Sequence, residues 1–287
     1  MLKEISVEIT RRCPNYCLHC SSSAHSQCNE SMPYETFQTV ISDAAKLGTK
    51  TICLSGGEPF LHDKIVQMIQ FVHSKGMECY VYTSGIAMSP SDQRISLPME
   101  QLRQISGAVT KIIFNIEAST EAIYDRIMGT SNCFSLLKES VLRANAAGIC
   151  TEAHFVPMAL NLREIPAVVR LCEELNISKL SFLRLVLHGR AEQNYTSLRG
   201  WYAFFSPLTA GFFPVFGILI RQKTRLRPVE GPRQSTWGGP QYAGEKILHT
   251  SVFSAVGARC VPSSALFWDF IRSGRTAARF SQSGPKI

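Results

Sequence analysis

Residues 1 to 193 predict an α/β fold, and three observations carry that prediction. Short runs rich in β-branched and aromatic residues recur, stretches with apolar residues at helical spacing separate them, and glycines stand where the helical stretches stop. Strict alternation with short links implies a parallel sheet with right-handed crossovers.

The first strand is read at Ile5 to Ile9. A helix follows from about Pro33 to Leu47, with Phe37, Val40, Ile41, Ala44, Ala45 and Leu47 on one stripe and Gly48 as its stop. Thr51 to Leu54 is the second strand. Asp63 to Lys75 is the second helix, with Ile65, Met68, Ile69 and Val72 inward and Gly76 after it. Glu78 to Tyr82 and Lys111 to Ile116 are strands three and four. Leu136 to Ala147 is a helix ending at Gly148, and Cys150 to Val156 is strand five. Arg163 to Leu175 is a helix with Val168, Val169 and Leu171 inside, and Lys179 to Leu185 is strand six.

Cys13, Cys17 and Cys20 put three thiols within eight residues directly after strand one. Three thiolates on one loop can ligate three corners of an iron-sulfur cube and leave the fourth iron free for a small molecule. A zinc site completed by His19 or Cys28 is the alternative, although neither gives the paired spacings usual for zinc ribbons and fingers. A disulfide framework fits poorly: no signal peptide is read, and Cys53, Cys79 and Cys150 sit in apolar strand-like runs as small core hydrophobes. After strand two comes Ser55-Gly56-Gly57-Glu58-Pro59, a turn whose glycines allow close backbone approach to a ligand and whose carboxylate can accept from an ammonium group.

In this joint order, Cys-x3-Cys-x2-Cys after strand one, a helix, then Gly-Gly-Glu-Pro after strand two, the chain resembles the radical S-adenosylmethionine (radical SAM) superfamily over about its first 190 residues. The resemblance implies a partial (β/α)6 barrel of parallel strands. It implies Cys13, Cys17 and Cys20 as ligands of a 4Fe-4S cluster whose open iron chelates S-adenosylmethionine, His19 near the adenine, and Gly56, Gly57 and Glu58 at the methionyl amino group. One electron then cleaves the sulfonium, and the 5'-deoxyadenosyl radical takes hydrogen from an unreactive carbon. The segment Phe114 to Thr120 resembles the family stretch that binds the ribose and amino group, which makes Asn115, Glu117 and Ser119 candidates, and Ser84 ends strand three within reach of the methionyl part. The plainer reading of all four is a polar strand end or helix cap. His154 and Arg184 are candidates to face the lumen, although a lone strand histidine is more often simply packed. Met128 stands where many relatives carry an arginine, a role open to Arg126 or Arg184. No catalytic residue acting on the substrate is assigned.

The motifs around Cys13 and the run Leu187 to Ala191 are most similar to enzymes with a cysteine-rich SPASM or twitch extension, which mostly modify peptides or peptide-derived cofactors and in some cases tetrapyrroles. A peptide or protein substrate is therefore expected, with a small molecule or tetrapyrrole as the enzymatic rival and an inactive iron-sulfur relic as the other alternative. An electron donor such as flavodoxin or ferredoxin and a reducing cytoplasm follow from the cluster.

The extension itself departs from that pattern. Residues 194 to 287 hold a single cysteine, Cys260, and carry 12 Lys+Arg against 3 Asp+Glu, whereas residues 1 to 193 carry 18 against 19. One cysteine cannot build a further cluster. The region is expected to be a divergent small domain or a degenerate, possibly frameshifted, reading of an ordinary extension. Trp201 to Ile220 is an uncharged run long enough to be a formal membrane span, but Pro207, Gly211, Pro214 and Gly217 interrupt it and no span is expected. The scattered arginines do not form a nucleic-acid patch.

Overall fold

The computed structural model describes residues 2–199, together with the backbone of Phe253–Ser254. Alternation along Glu4–Thr10 (β1) sorts the two faces of the sheet: Val7 and Ile9 are buried in the main core, and Glu4, Ser6 and Glu8 turn to the inner face. Tyr34–Lys46 (α1) then lays Phe37, Ile41 and Ala44 on that core. Val40 and Leu47, expected on the same stripe, are exposed: the stripe buries three turns of the helix, and these two fall at its margin and beyond its last turn.

Thr51–Gly56 (β2) pairs in parallel with β1, and Ile65–Ser74 (α2) buries Ile65, Met68, Ile69 and Val72 as the sequence predicts. Glu78–Thr83 (β3) is followed by two elements the sequence did not announce. Ile86–Met88 (β4) and Arg94–Ser96 (β5) form an antiparallel hairpin, and Met99–Ile105 (α3) buries Leu102 and Ile105. Strands of three residues and a helix of seven are too short to show a hydrophobic period.

Lys111–Asn115 (β6) leads into Glu121–Met128 (α4) and Phe134–Ala146 (α5), and Thr151–Phe155 (β7) into Ile165–Glu174 (α6). In α6 Val168 and Cys172 are buried, whereas Val169 and Leu171 are only half-buried, because periodicity alone does not tell which flank of a stripe meets the sheet. Cys53 and Cys79 are core residues as expected, but Cys150 is exposed: it sits immediately before β7, where its carbonyl still accepts from Ile112 N–H at 3.0 Å while its side chain turns to solvent. Leu180–Phe182 (β8) is shorter than its predicted run: the bond from Leu183 N–H to Phe155 O is its last with β7, and the chain then turns toward Arg190–Gln193 (α7) and Tyr195–Leu198 (α8).

The strand order is β1-β2-β3-β6-β7-β8, all parallel, with Phe253–Ser254 (β9) antiparallel on the β8 edge. These are the six strands of the predicted partial barrel, and β4-β5 lies outside the sheet. The packed unit continues past residue 193: Leu198 is fully buried, and its carbonyl accepts from Ala159 N–H at 3.1 Å. Among the described residues no helix is long and apolar enough to cross a membrane. Trp201 to Ile220, Cys260 and the expected divergent or degenerate character of the extension lie outside the described residues.

Candidate functional site

The segment from Arg11 to Cys28 leaves the end of β1 and folds over the carboxyl ends of the strands, where parallel α/β sheets place their sites. It has almost no regular structure beyond a bridge between Arg12 and His25 and a few local bonds such as Cys13 N–H to His25 O at 3.2 Å, so much of its restraint comes from outside. Gly57 N–H donates to Thr10 O at 2.6 Å and Glu58 N–H to Arg12 O at 2.8 Å. A Cβ on Gly57 meets Arg12 O at 2.2 Å, and one on Gly56, at φ +122, meets Thr10 O at 2.3 Å. The two glycines thus give close approach to the cysteine-bearing backbone itself, rather than to open space kept for a ligand.

Further clamps come from distant sequence. Tyr16 N–H donates to Met128 O and Leu18 N–H to Ile127 O, at 3.0 and 2.9 Å, while Gly129, at φ +60, leaves no room for a side chain against Tyr16 O. Arg94 of the hairpin donates from Nε and a terminal nitrogen to Pro14 O at 3.1 and 2.8 Å. Arg190, only 4% exposed, donates from Nε to Cys17 O at 2.9 Å and from a terminal nitrogen to Ala24 O at 2.7 Å, and its guanidinium stacks on Tyr16 with 4.0 Å to the ring centre. Its own N–H donates to Cys20 O. Asn194 reaches Leu18 O at 3.1 Å. Among these partners the sequence singled out only Met128, for its side chain, and Arg190, which lay inside the Leu187 to Ala191 run but had no role attached; Arg94, Ile127 and Asn194 went unnoticed.

Cys13 is buried, and Cys17 and Cys20 are half-buried. Burial pushes the Cys13 thiol up to about 12, with Glu58 and Cys20 adding to the rise and the Asn15 N–H and Arg190 opposing it. Burial likewise raises Cys17, helped by the charges of Cys13 and Cys20 and opposed by Arg190. Cys13 thus feels Cys20, and Cys17 feels both of the others. Among the described residues no three His, Cys, Asp or Glu side chains converge on a single ion, as a zinc set would. A cube takes each thiolate on a different iron.

Glu58 is fully buried, and all its acceptor capacity is spent within the chain. Oε1 accepts from Phe60 N–H at 3.2 Å and the Thr83 hydroxyl at 2.7 Å; Oε2 accepts from Ser84 N–H at 2.9 Å and the Ser84 hydroxyl at 2.6 Å. Burial raises its pKa, and these donors pull the other way. Glu58 and Ser84 are thereby bound to each other across the ends of β2 and β3.

Glu117 is also fully buried: Oε2 accepts from Val156 N–H at 2.9 Å, and Oε1 lies 3.4 Å from His19 Nε2 and 3.5 Å from Asn115 Nδ2. This brings His19, Asn115 and Glu117 together. Asn161, unnoticed in the sequence, anchors the group by donating to the carbonyls of Glu117 and Val156 at 2.9 and 3.0 Å. Ser119 is drawn elsewhere, since its N–H and hydroxyl both donate to Glu164 at 3.1 and 2.7 Å. Burial would raise the Glu164 pKa, but the bonds from Ser119 and Thr120 outweigh it and hold it low. His154 on the inner face packs on Tyr82 with 5.3 Å between ring centres, and burial lowers its pKa to about 4.

Met128 puts a buried thioether, its Sδ 3.8 Å from Cys17 Sγ, at the position considered for an arginine. Arg126 is exposed on α4. Arg184, a candidate to face the lumen, is exposed just beyond the end of β8, which stops at Phe182.

The site fits a bound polar group. Buried side-chain atoms without a hydrogen-bond partner are rare in proteins, yet several crowd the cysteine loop: both amide atoms of Asn15, His19 Nδ1, and the hydroxyl of Tyr124, which sits close enough to Cys17 to feel its charge. A cleft of about 710 Å³ also reaches Cys13, Arg12 and Pro14 between the β4-β5 hairpin and the loop after α4.

Residues 7–172 match the radical SAM superfamily, and the chain belongs to it. The superfamily's cofactors are a 4Fe-4S cluster and S-adenosylmethionine. The chain is 27% identical over 193 residues to a PqqA peptide cyclase of Ruegeria pomeroyi, covering 67% of this chain and 49% of that protein. It is 25% identical over 186 residues to an Fe-coproporphyrin III synthase of Methanosarcina barkeri, covering 64% and 44%. It thus spans about half the length of the curated relatives it matches. The fold is shared with Streptococcus suis SuiB bound to its precursor peptide SuiA, at a TM-score of 0.60 and 15% identity, covering 77% of this chain and 47% of that one.

Proposed function

We propose that this chain is the catalytic barrel of a radical SAM enzyme that modifies a peptide. The observation that carries the reading is the cysteine loop, in which three neighbouring cysteines are held over the strand ends by contacts from the turn after β2, from β5, α4 and α7. Cys13, Cys17 and Cys20 would hold the cluster. When bound, the cluster and S-adenosylmethionine supply one-electron cleavage of the sulfonium and hydrogen abstraction from an unreactive carbon.

The chain's own residues do the rest. Burial keeps the Cys13 and Cys17 thiols protonated, so taking up iron releases their protons. His19, with Nε2 toward Glu117 and Nδ1 unpartnered, would accept a hydrogen bond at Nδ1 from the adenine amino group. Glu58 would act on the methionyl end by fixing Thr83 and Ser84, and Gly56 and Gly57 by holding the cysteine loop against the turn after β2. Asn115 remains a candidate for the ribose, and Ser119 acts through the α4 start. Burial of the loop limits water at the reacting centre.

A peptide substrate is favoured by the relatives named as peptide cyclases and by the SuiA-bound neighbour. Tetrapyrrole chemistry is the second reading, favoured by the named Fe-coproporphyrin III and heme synthases. A flavodoxin or ferredoxin as electron donor, a cytoplasmic setting, and a divergent or frameshifted extension from residue 194 belong to the same proposal.

The test is anaerobic reconstitution with iron and sulfide, reduction by dithionite with S-adenosylmethionine, and quantification of 5'-deoxyadenosine beside Cys17→Ala. Product lost in the variant supports the reading. A full cluster without product overturns the enzymatic reading in favour of an inactive iron-sulfur relic.

A further inference from the structure

Arg190 carries a buried charge that no carboxylate balances. It is 4% exposed, and among the described residues none of its partners is an anion: it binds the carbonyls of Cys17 and Ala24 and stacks on the Tyr16 ring. A buried guanidinium without a counter-charge is costly, because carbonyl dipoles replace only part of its lost hydration. The anionic groups beside it are the thiolates that Cys13 and Cys17 become on binding iron, and both sulfurs already feel its charge. Its reach is also specific in sequence: Nε bonds the backbone of Cys17, 173 residues earlier. Gly189, at φ +60 with Ser21 O 2.6 Å from where its Cβ would stand, turns the chain so that α7 delivers the side chain there.

We propose that Arg190 is a positioning residue of the cluster loop and the cation that makes the cluster easier to reduce. The inference rests on the cluster-bearing reading above. Reduction adds one negative charge to the cluster, and a fixed positive charge in a poorly solvated site stabilises the reduced form more than the oxidised one. The planar guanidinium does this without mobility of its own, because the fork is tied to two carbonyls and a ring.

The experiment uses the full chain, reconstituted anaerobically, with iron and sulfide content measured first and the midpoint potential then read by a redox titration followed by electron paramagnetic resonance. R190Q removes the charge, and R190K keeps it while losing the fork. In loaded R190Q the ratio of reduced to oxidised cluster at a fixed reductant potential is expected to fall about tenfold, a shift of about 59 mV for a one-electron couple. R190K is expected to load and to stay near the wild-type potential. R190Q that fails to load beside a loaded R190K of wild-type potential also supports the charge.

The proposal is overturned if loaded R190Q keeps the wild-type potential, if R190K shifts as far as R190Q, or if neither variant loads, since Arg190 is then only a scaffold. Wild-type protein that takes up no cluster overturns the underlying reading instead.

Discussion

Glu58 and Ser84 are joined by two hydrogen bonds, Ser84 N–H and hydroxyl to Oε2 at 2.9 and 2.6 Å, so the turn after β2 and the end of β3 move as one piece. The other oxygen is taken by Phe60 N–H and Thr83. Each carboxylate oxygen therefore faces a backbone N–H. Glu58→Gln must aim its NH₂ at one of these donors whichever way the amide turns, and is expected to cost about 1.5 to 3 kcal/mol. Urea unfolding of the two proteins at equal pH checks this; an unchanged midpoint refutes it.

Gly57→Ala forces a methyl against Arg12 O, 2.2 Å from the ideal Cβ, and breaks the approach of β2 to the cysteine loop. We expect a loss of about 1 to 3 kcal/mol and a fall in iron bound per chain. Gly107→Ala, with nothing within 4 Å of its Cβ, is the control and should stay within about 0.5 kcal/mol of the parent.

His154 makes stability pH-dependent with a definite sign. Its folded pKa, near 4, lies below the ordinary 6.5, so between these values the unfolded chain binds a proton that the folded chain refuses. The contribution is fully present above about pH 6.5 and is lost as pH falls through 4, up to about 3 kcal/mol. His154→Phe keeps a ring against Tyr82 and removes the titration. Denaturation midpoints at pH 7 and pH 5 should converge in the variant, and an equal slope in both proteins would exclude the assignment.

Leu198→Ala tests whether the barrel extends past residue 193. Leu198 is fully buried, so truncation is expected to cost about 2 to 4 kcal/mol. A change within the error of the thermal midpoint would place Leu198 outside the cooperative unit.

What the sequence determined by itself is the part written locally. Strand and helix periods, glycine stops and the spacing of Cys13, Cys17 and Cys20 each depend on residues a few positions apart, so the six parallel strands and the three metal-ligand candidates are legible in the order of residues alone. The candidacy of His19 and Glu117 is legible there only as a family likeness, and their contact is not legible at all.

Tertiary structure alone decided what those residues meet. An irregular loop has no internal hydrogen-bond ladder, so its backbone groups must be satisfied from elsewhere, and the fold supplies Arg94, Met128, Arg190 and Asn194 from as far as 176 residues away. No sequence period links such residues. The same holds for Ser119, whose N–H and hydroxyl both donate to Glu164, and for Glu58, whose carboxylate accepts from Phe60, Thr83 and Ser84. Long-range satisfaction of buried polar groups is a property of the packed chain, because it depends on which strand ends the curved open sheet sets side by side.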